Sequence, residues 1–291
     1  MDGQPEGDIS EYVIRYINPR KHVKAYIDKD LRPHKSRRTL MNYRQIQANI
    51  NVVKTADGSS IVKIGKTNVL CGVYVELVAP EDKTLNRGLI EVKTSVSDLS
   101  RLSSYVEEHV LNLPHCTSVL ERLYSSVIDT NALSLNKGKM VWLVSIQIMC
   151  HKYDGGFWDS AVLAVYLALK TVKIPVMEYD EESKKFFMKG DLTIPMPLNY
   201  CPVSTTFGLF EGKLFTDLTL EEEVVVDTCI TVITDKELIL TFDKRGPHLV
   251  SDEQMKTCIK LAKSRDSIMK RAIETILSQS DEQVELIMET K

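Results

Sequence analysis

The chain lacks any uninterrupted apolar stretch of about 18 residues, so the sequence offers no transmembrane helix. It also lacks a CxxC pair. Its six cysteines (Cys71, Cys116, Cys150, Cys201, Cys229 and Cys258) stand singly, and its six histidines are not clustered with them. No zinc-ligand spacing results, and no metal or cofactor is expected. Most of these cysteines sit in apolar runs, as reduced, buried thiols do. The opening residues Met1–Asp8 are acidic and turn-prone rather than positive and then apolar, so no signal peptide is expected there. Strong charge of one sign is missing too. Thirty-seven Lys and Arg against 40 Asp and Glu leave a net charge of −3, which does not mark a nucleic-acid binder.

What is present is ordinary for a globular protein: 291 residues, 43% hydrophobic and 26% charged, enough for two domains or one large unit with a buried core. The charge is uneven. Residues 1–44 hold ten Lys and Arg against six Asp and Glu, about +4, so the remainder is about −7. This basic segment suits either a phosphate or acidic partner, or a solvated helix and linker.

Residues 9–31 read as one or two short amphipathic helices ending at Arg32-Pro33. Residues 41–53 alternate apolar and polar, the period of a half-buried strand. Asp57-Gly58 then supplies turn chemistry before two further strand-like runs, Ile61–Gly65 and Asn68–Glu76, which together make a three-stranded antiparallel meander. Residues 79–100 are polar and read as a long exposed connection. From 99 to 130 the apolar spacing predicts two helices broken at Pro114. Lys139–Cys150 is a continuous apolar run, expected as a central strand, and Phe157–Val172 is apolar almost all round, a helix buried on most faces. Strands are expected near 186–193, 203–210, 213–218, 223–233 and 236–242. A long amphipathic helix follows from Asp252 to about Ser278, with the tail as its extension. Two strands-then-helix blocks suggest a duplicated α+β unit. The corresponding division is a helical, basic extension (1–36), a core (37–180) and a C-terminal part with the long helix (181–291).

Pattern alone stops there, but particular residues go further. Thr55–Val73 (TADGSSIVKIGKTNVLCGV) closely resembles a hairpin of the RNase PH-like proteins, and Asp154-Gly155-Gly156 with its following helix and Ile174-Pro175 resembles another segment of that family. The resemblance runs from about Arg32 to the end of the last helix. It implies the RNase PH fold, which is similar to domain 2 of ribosomal protein S5. Gly138–Trp142, Pro202–Phe207 and Glu221-Glu222-Glu223 are similar to the eukaryotic exosome ring subunits within the family. That likeness implies RNA processing and degradation, in rRNA maturation and mRNA turnover, in nucleus, nucleolus and cytoplasm. The implied partners are other RNase PH-like subunits in a hetero-hexameric ring, with ribosomal RNA-processing protein 46 as pair mate. They also include S1/KH cap subunits such as Csl4, a hydrolytic exoribonuclease, and RNA threading the channel.

Active members of the family use inorganic phosphate to remove nucleotides from an RNA 3′ end. Such chemistry needs cationic and hydroxyl donors around the phosphate and a carboxylate for a metal or a proton. Asp154 falls on the family's acidic position. Val141 and Trp142 stand where the family has an Arg-Ser pair, and Phe157 replaces the threonine after Gly-Gly. Arg87 and Lys93 lack the family's clustered arginines. The expectation is a catalytically inactive homologue in which Asp154 serves a turn; the rival is an active phosphorolytic exoribonuclease using Asp154. His151, lone in a turn, is expected to be inert, and Trp142 and Trp158 to be packing residues. Lys63 and Lys66 alternate with apolar neighbours, as solvent-facing strand residues do, and are the candidates to touch RNA. Glu221–Glu223 is expected as a solvated face or an interface with a basic sister subunit.

Overall fold

The computed structural model describes residues 17–33, 39–80, 86–97, 106–135, 139–180, 185–278 and 284–286. In chain order the elements are α1 (Pro19–Ile27), β1 (Ile46–Ile50), β2 (Gly58–Ile64), β3 (Thr67–Val78), β4 (Leu89–Val96), a π-helical turn (Val106–Leu111), α2 (Leu113–Val127), β5 (Ser134–Leu135), β6 (Met140–Lys152), α3 (Phe157–Thr171), β7 (Lys173–Asp180), β8 (Lys185–Pro195), β9 (Val203–Phe210), β10 (Lys213–Thr216), α4 (Leu220–Val225), β11 (Thr228–Asp235), β12 (Leu238–Arg245), α5 (Asp252–Ser278) and β13 (Val284–Leu286). They build a seven-stranded sheet ordered β13-β1-β2-β3-β6-β4, with β5 added beside β6. A four-stranded sheet is ordered β10-β9-β11-β12, and β7 and β8 form a two-stranded ribbon.

The molecule is organised around α3. Every residue from Phe157 to Leu169 is buried, because the helix lies between β2 and β3 of the large sheet on one side and β9 of the small sheet on the other. Each fully buried leucine or valine there contributes about 1.5–3 kcal/mol relative to exposure. Helix and sheet are also bonded directly: Ser60 Oγ donates to the Ala164 carbonyl at 2.6 Å, and Tyr124 of α2 to that of Val162 at 2.8 Å. Gly58 is glycine for room, since a Cβ there would stand 2.5 Å from both the Ala168 oxygen and the Val172 Cγ2. The meander β1-β2-β3 is antiparallel in register, and both tryptophans are buried as packing residues.

The structure departs from the pattern reading in several places, among them an unexpected strand β7 that pairs with β8. Within the expected exposed connection, Leu89–Val96 is a strand pairing parallel to β6, from Leu89↔Leu143 to Val96↔Cys150. Its partner is distant in sequence and its outward Lys93 and Glu91 pair with each other at 2.9 Å, so it shows little apolar signal. In the tail, Val284–Leu286 leaves the helical path and adds antiparallel to β1. Where a strand over 223–233 was expected, Leu220–Val225 is a short helix and β11 begins only at Thr228. Thr219 and Glu222 form a capping box, which outweighs the β-branched residues that follow. Finally, Glu222 and Glu223 are buried rather than solvated. Pro114 stands at the start of α2, where a missing N–H costs nothing; residues 98–105 of the preceding expected helix lie outside the described residues, as do 9–16 of the first.

Candidate functional site

Asp154 lies in the tight turn between β6 and α3. That turn is held by two glycines at positive φ, Gly155 (+76°) and Gly156 (+72°), which aim the N-terminus of α3 at the loop before α4. A Cβ on Gly155 would be 2.4 Å from the Leu218 carbonyl oxygen, so that approach needs glycine. The Asp154 N–H donates to Thr67 Oγ1 (2.9 Å), whose hydroxyl in turn donates to the Gly155 carbonyl (2.6 Å). The side chain of Asp154 is 21% exposed, and Arg44 Nη1 is 3.8 Å from its Oδ2.

Arg44 is the cation of this region, and its donors are committed internally. It bonds the Asp217 carboxylate through Nε (3.0 Å) and Nη2 (2.8 Å), and the carbonyls of Asp154 (2.6 Å), Gly155 (3.2 Å) and Leu218 (3.0 Å). Burial works against its charge, but the Asp217 carboxylate overrides that and holds its pKa above the ordinary value. The start of α3 is likewise filled from within. Glu223 Oε1 accepts the Gly156 N–H at 2.9 Å, and its other oxygen accepts the Tyr153 hydroxyl. Burial raises the Glu223 carboxyl above the ordinary carboxylate range, against the pull of Arg245 and of those donors. Burial, reinforced by Glu223, also pushes Tyr153 well up. Sequence reasoning missed Arg44, Asp217 and Glu223; the capping spacing Thr219-x-x-Glu222 was the one local signal that this acidic run turns inward.

The structure does not gather the other expected residues around Asp154. Val141 and Trp142 begin β6 and Asp154 follows its end, which separates them by roughly 40 Å of extended strand. Both are buried in the core. Phe157, after the glycines, is buried as well. Lys63 and Lys66 are exposed, on β2 and in the β2–β3 turn. His151 is the extra residue of a bulge in β6, between Cys150 opposite Val69 and Lys152 opposite Asn68. Among the described residues no group of His, Cys, Asp and Glu has the arrangement of a metal site.

Fold and site together define an α+β protein in which the N-terminus of the central helix is bonded by the chain's own Glu223 carboxyl. Residues 42–175 match the family described as 3′ exoribonuclease family, domain 1, and residues 200–265 match its domain 2. The chain therefore belongs to this RNase PH-like 3′ exoribonuclease family. It is 28% identical over 277 residues to the exosome complex component rrp43 of Schizosaccharomyces pombe, spanning 91% of this chain and 98% of that one. It is 30% identical over 238 residues to the exosome complex component Rrp42 of Methanocella arvoryzae, spanning 80% and 88%. Its fold is similar to that of an archaeal exosome core chain, with TM-score 0.75 at 24% identity over 91% of this chain and 99% of that one. It is also similar to rice (Oryza sativa) Rrp46, with TM-score 0.64 at 18% identity over 84% and 100%.

Proposed function

We propose that this chain is a non-catalytic subunit of an RNA exosome ring, of the component-43 type, which supports 3′-to-5′ RNA processing and degradation by building the channel rather than by cutting. The observation that carries the reading is Glu223 at the N-terminus of α3. A helix N-terminus attracts phosphate through its free N–H groups and dipole. Here the Gly156 N–H already donates to the Glu223 carboxyl at 2.9 Å, so an incoming phosphate finds that donor taken and the space beside it filled. Arg44, the nearest cation, already bonds Asp217 and three carbonyls. Val141, Trp142 and Phe157, at the positions where active relatives carry phosphate-binding groups, offer no donor side chain that an anion could reach. Asp154 is then a turn residue with its carbonyl spent on Arg44.

In this reading the partners are the other RNase PH-like subunits, with the component-46 subunit as pair mate. The S1/KH cap proteins such as Csl4 and an associated hydrolytic exoribonuclease complete them, in nucleus, nucleolus and cytoplasm. Lys63 and Lys66 are the residues that meet RNA. The test is to purify the chain with its co-expressed ring partners and incubate it with labelled RNA and inorganic phosphate. Intact RNA is expected. Phosphate-dependent release of nucleoside diphosphates that disappears in Asp154→Asn would overturn the inactive reading, and failure to co-purify any RNase PH-like subunit would overturn the ring reading.

A further inference from the structure

We infer that the open face of the seven-stranded sheet, at the end nearest Asp154, is a binding surface for single-stranded RNA. This rests on the exosome reading for the nature of the ligand, and on the strand register for its place. One face of the sheet is covered by α2 and α3. On the other face the register sets Lys63 of β2 opposite Asn68 of β3, and Asn68 opposite Lys152 of β6. Strands lie about 4.8 Å apart, so the two exposed lysines stand roughly 10 Å from each other on one line across the sheet. Lys66 is exposed in the β2–β3 turn, just beyond the Lys63–Asn68 pair along the strand direction.

The bulge at His151 is what completes the row. Met149 faces outward and Cys150 inward, so in a regular strand Lys152 would point into the core. The inserted residue restores it to the open face. No acidic side chain pairs with Lys63, Lys66 or Lys152 among the described residues, whereas Lys93 on the same face is neutralised by Glu91 at 2.9 Å. On the other side Gln47 faces Glu285 of β13, so the basic stretch begins at Lys63 and runs toward β6.

The adjacent row is of a different character. Ile61, Leu70 and Met149 are aligned across β2, β3 and β6, and Met149 is 40% exposed. A cationic line beside a flat apolar line matches a single strand, with phosphates over the lysines and base faces over the aliphatic row.

The test is binding of a fluorescent oligouridylate of about 12 nucleotides to the purified complex of this chain with its ring partners, measured by anisotropy across a salt series. The double variant Lys63→Glu/Lys152→Glu is compared with Lys260→Glu, an exposed lysine of α5 remote from the face. The face variant is expected to lose at least about tenfold in affinity, with a salt slope shallower by about 1.4, since each single-strand phosphate contact contributes about 0.7; Lys260→Glu should change neither. Equal binding by wild type and face variant, or no binding by wild type, overturns the inference while co-purification of the ring subunits leaves the exosome reading standing. If instead the face variant binds RNA normally but releases its partner subunits, the face is a protein interface and the RNA assignment is wrong.

Discussion

Arg265 of α5 donates to Asp159 of α3 at 2.7 Å with both side chains out of water, and Ser204 and Thr206 of β9 each donate to the other carboxylate oxygen at 2.9 Å. The guanidinium also stacks over Tyr43, its carbon 3.9 Å from the ring centre. One ion pair thereby fastens the long helix and the small sheet to the central helix. Removing one member leaves the other charged and dry. Arg265→Ala should cost about 3–5 kcal/mol, while a joint Arg265→Met/Asp159→Leu replacement should cost far less than the sum of the single changes. Urea midpoints of wild type, Arg265→Ala, Arg265→Met, Asp159→Leu and the double variant measure this; a shift under about 1 kcal/mol for Arg265→Ala would show the pair to be dispensable.

Glu223 makes a pH prediction with a definite sign. Its folded pKa is raised above the ordinary 4.5, so the native state holds the proton more tightly than the unfolded chain does. Stability from this group is therefore greatest at low pH and declines as pH rises from about 4.5 through the folded value. Glu223→Gln keeps an acceptor for the Gly156 N–H and removes the titration. Relative to that variant, wild type should lose stability as pH rises above about 4.5, until the raised folded value is passed, and be level beyond it. Glu223→Ala, which strands the Gly156 N–H and the Tyr153 hydroxyl, should cost about 1–3 kcal/mol for each. A pH-independent difference between wild type and the Gln variant would refute the raised carboxyl.

How much of this was legible beforehand depended on how local the cause was. The β1-β2-β3 meander announces itself by alternation, and α3 by an unbroken apolar run, because both are set by neighbours in sequence. Strand β4 is invisible for the opposite reason: it gains its partner only when β6, some fifty residues later, lies beside it. The site shows the same division. Asp154 and its glycines form a contiguous motif, but Arg44 reaches it from before β1, and Asp217 and Glu223 from the distant 217–223 segment. The acidic run 221–223 looked solvated because composition does not reveal that a helix N-terminus waits to receive one of its carboxylates.

Two glycines at positive φ separate strain from crowding. Gly190, in β8, has φ +57° with no atom within 4 Å of a would-be Cβ, so alanine meets only backbone strain. Gly155 has φ +76° and a carbonyl oxygen 2.4 Å away. Gly190→Ala should cost about 1 kcal/mol, and Gly155→Ala several times that, since the turn or the loop before α4 must move. Thermal unfolding of both variants is the check; equal shifts would mean that the Leu218 contact yields freely.

The ribbon β7–β8 bears on assembly. A two-stranded ribbon is marginally stable alone, and the outer edge of β8 is unpaired within the two-stranded sheet. It displays Phe187 at 51%, Met188 at 65% and Leu192 at 56% exposure, an unusual concentration of apolar surface on one edge. On the small sheet, edge strand β12 adds exposed Leu238, Ile239 and Phe242. A subunit of a closed ring needs two distinct contact surfaces, one for each neighbour, and two separate apolar edges meet that requirement. The isolated chain should then aggregate and be rescued by co-expressed partners. A Phe187→Lys/Leu192→Lys variant should make the lone chain more soluble and at the same time lower its recovery of partner subunits in co-purification. Improved solubility with full partner recovery would mean that the ribbon lies outside the ring contacts, and a monodisperse wild-type monomer would count against assembly through either edge.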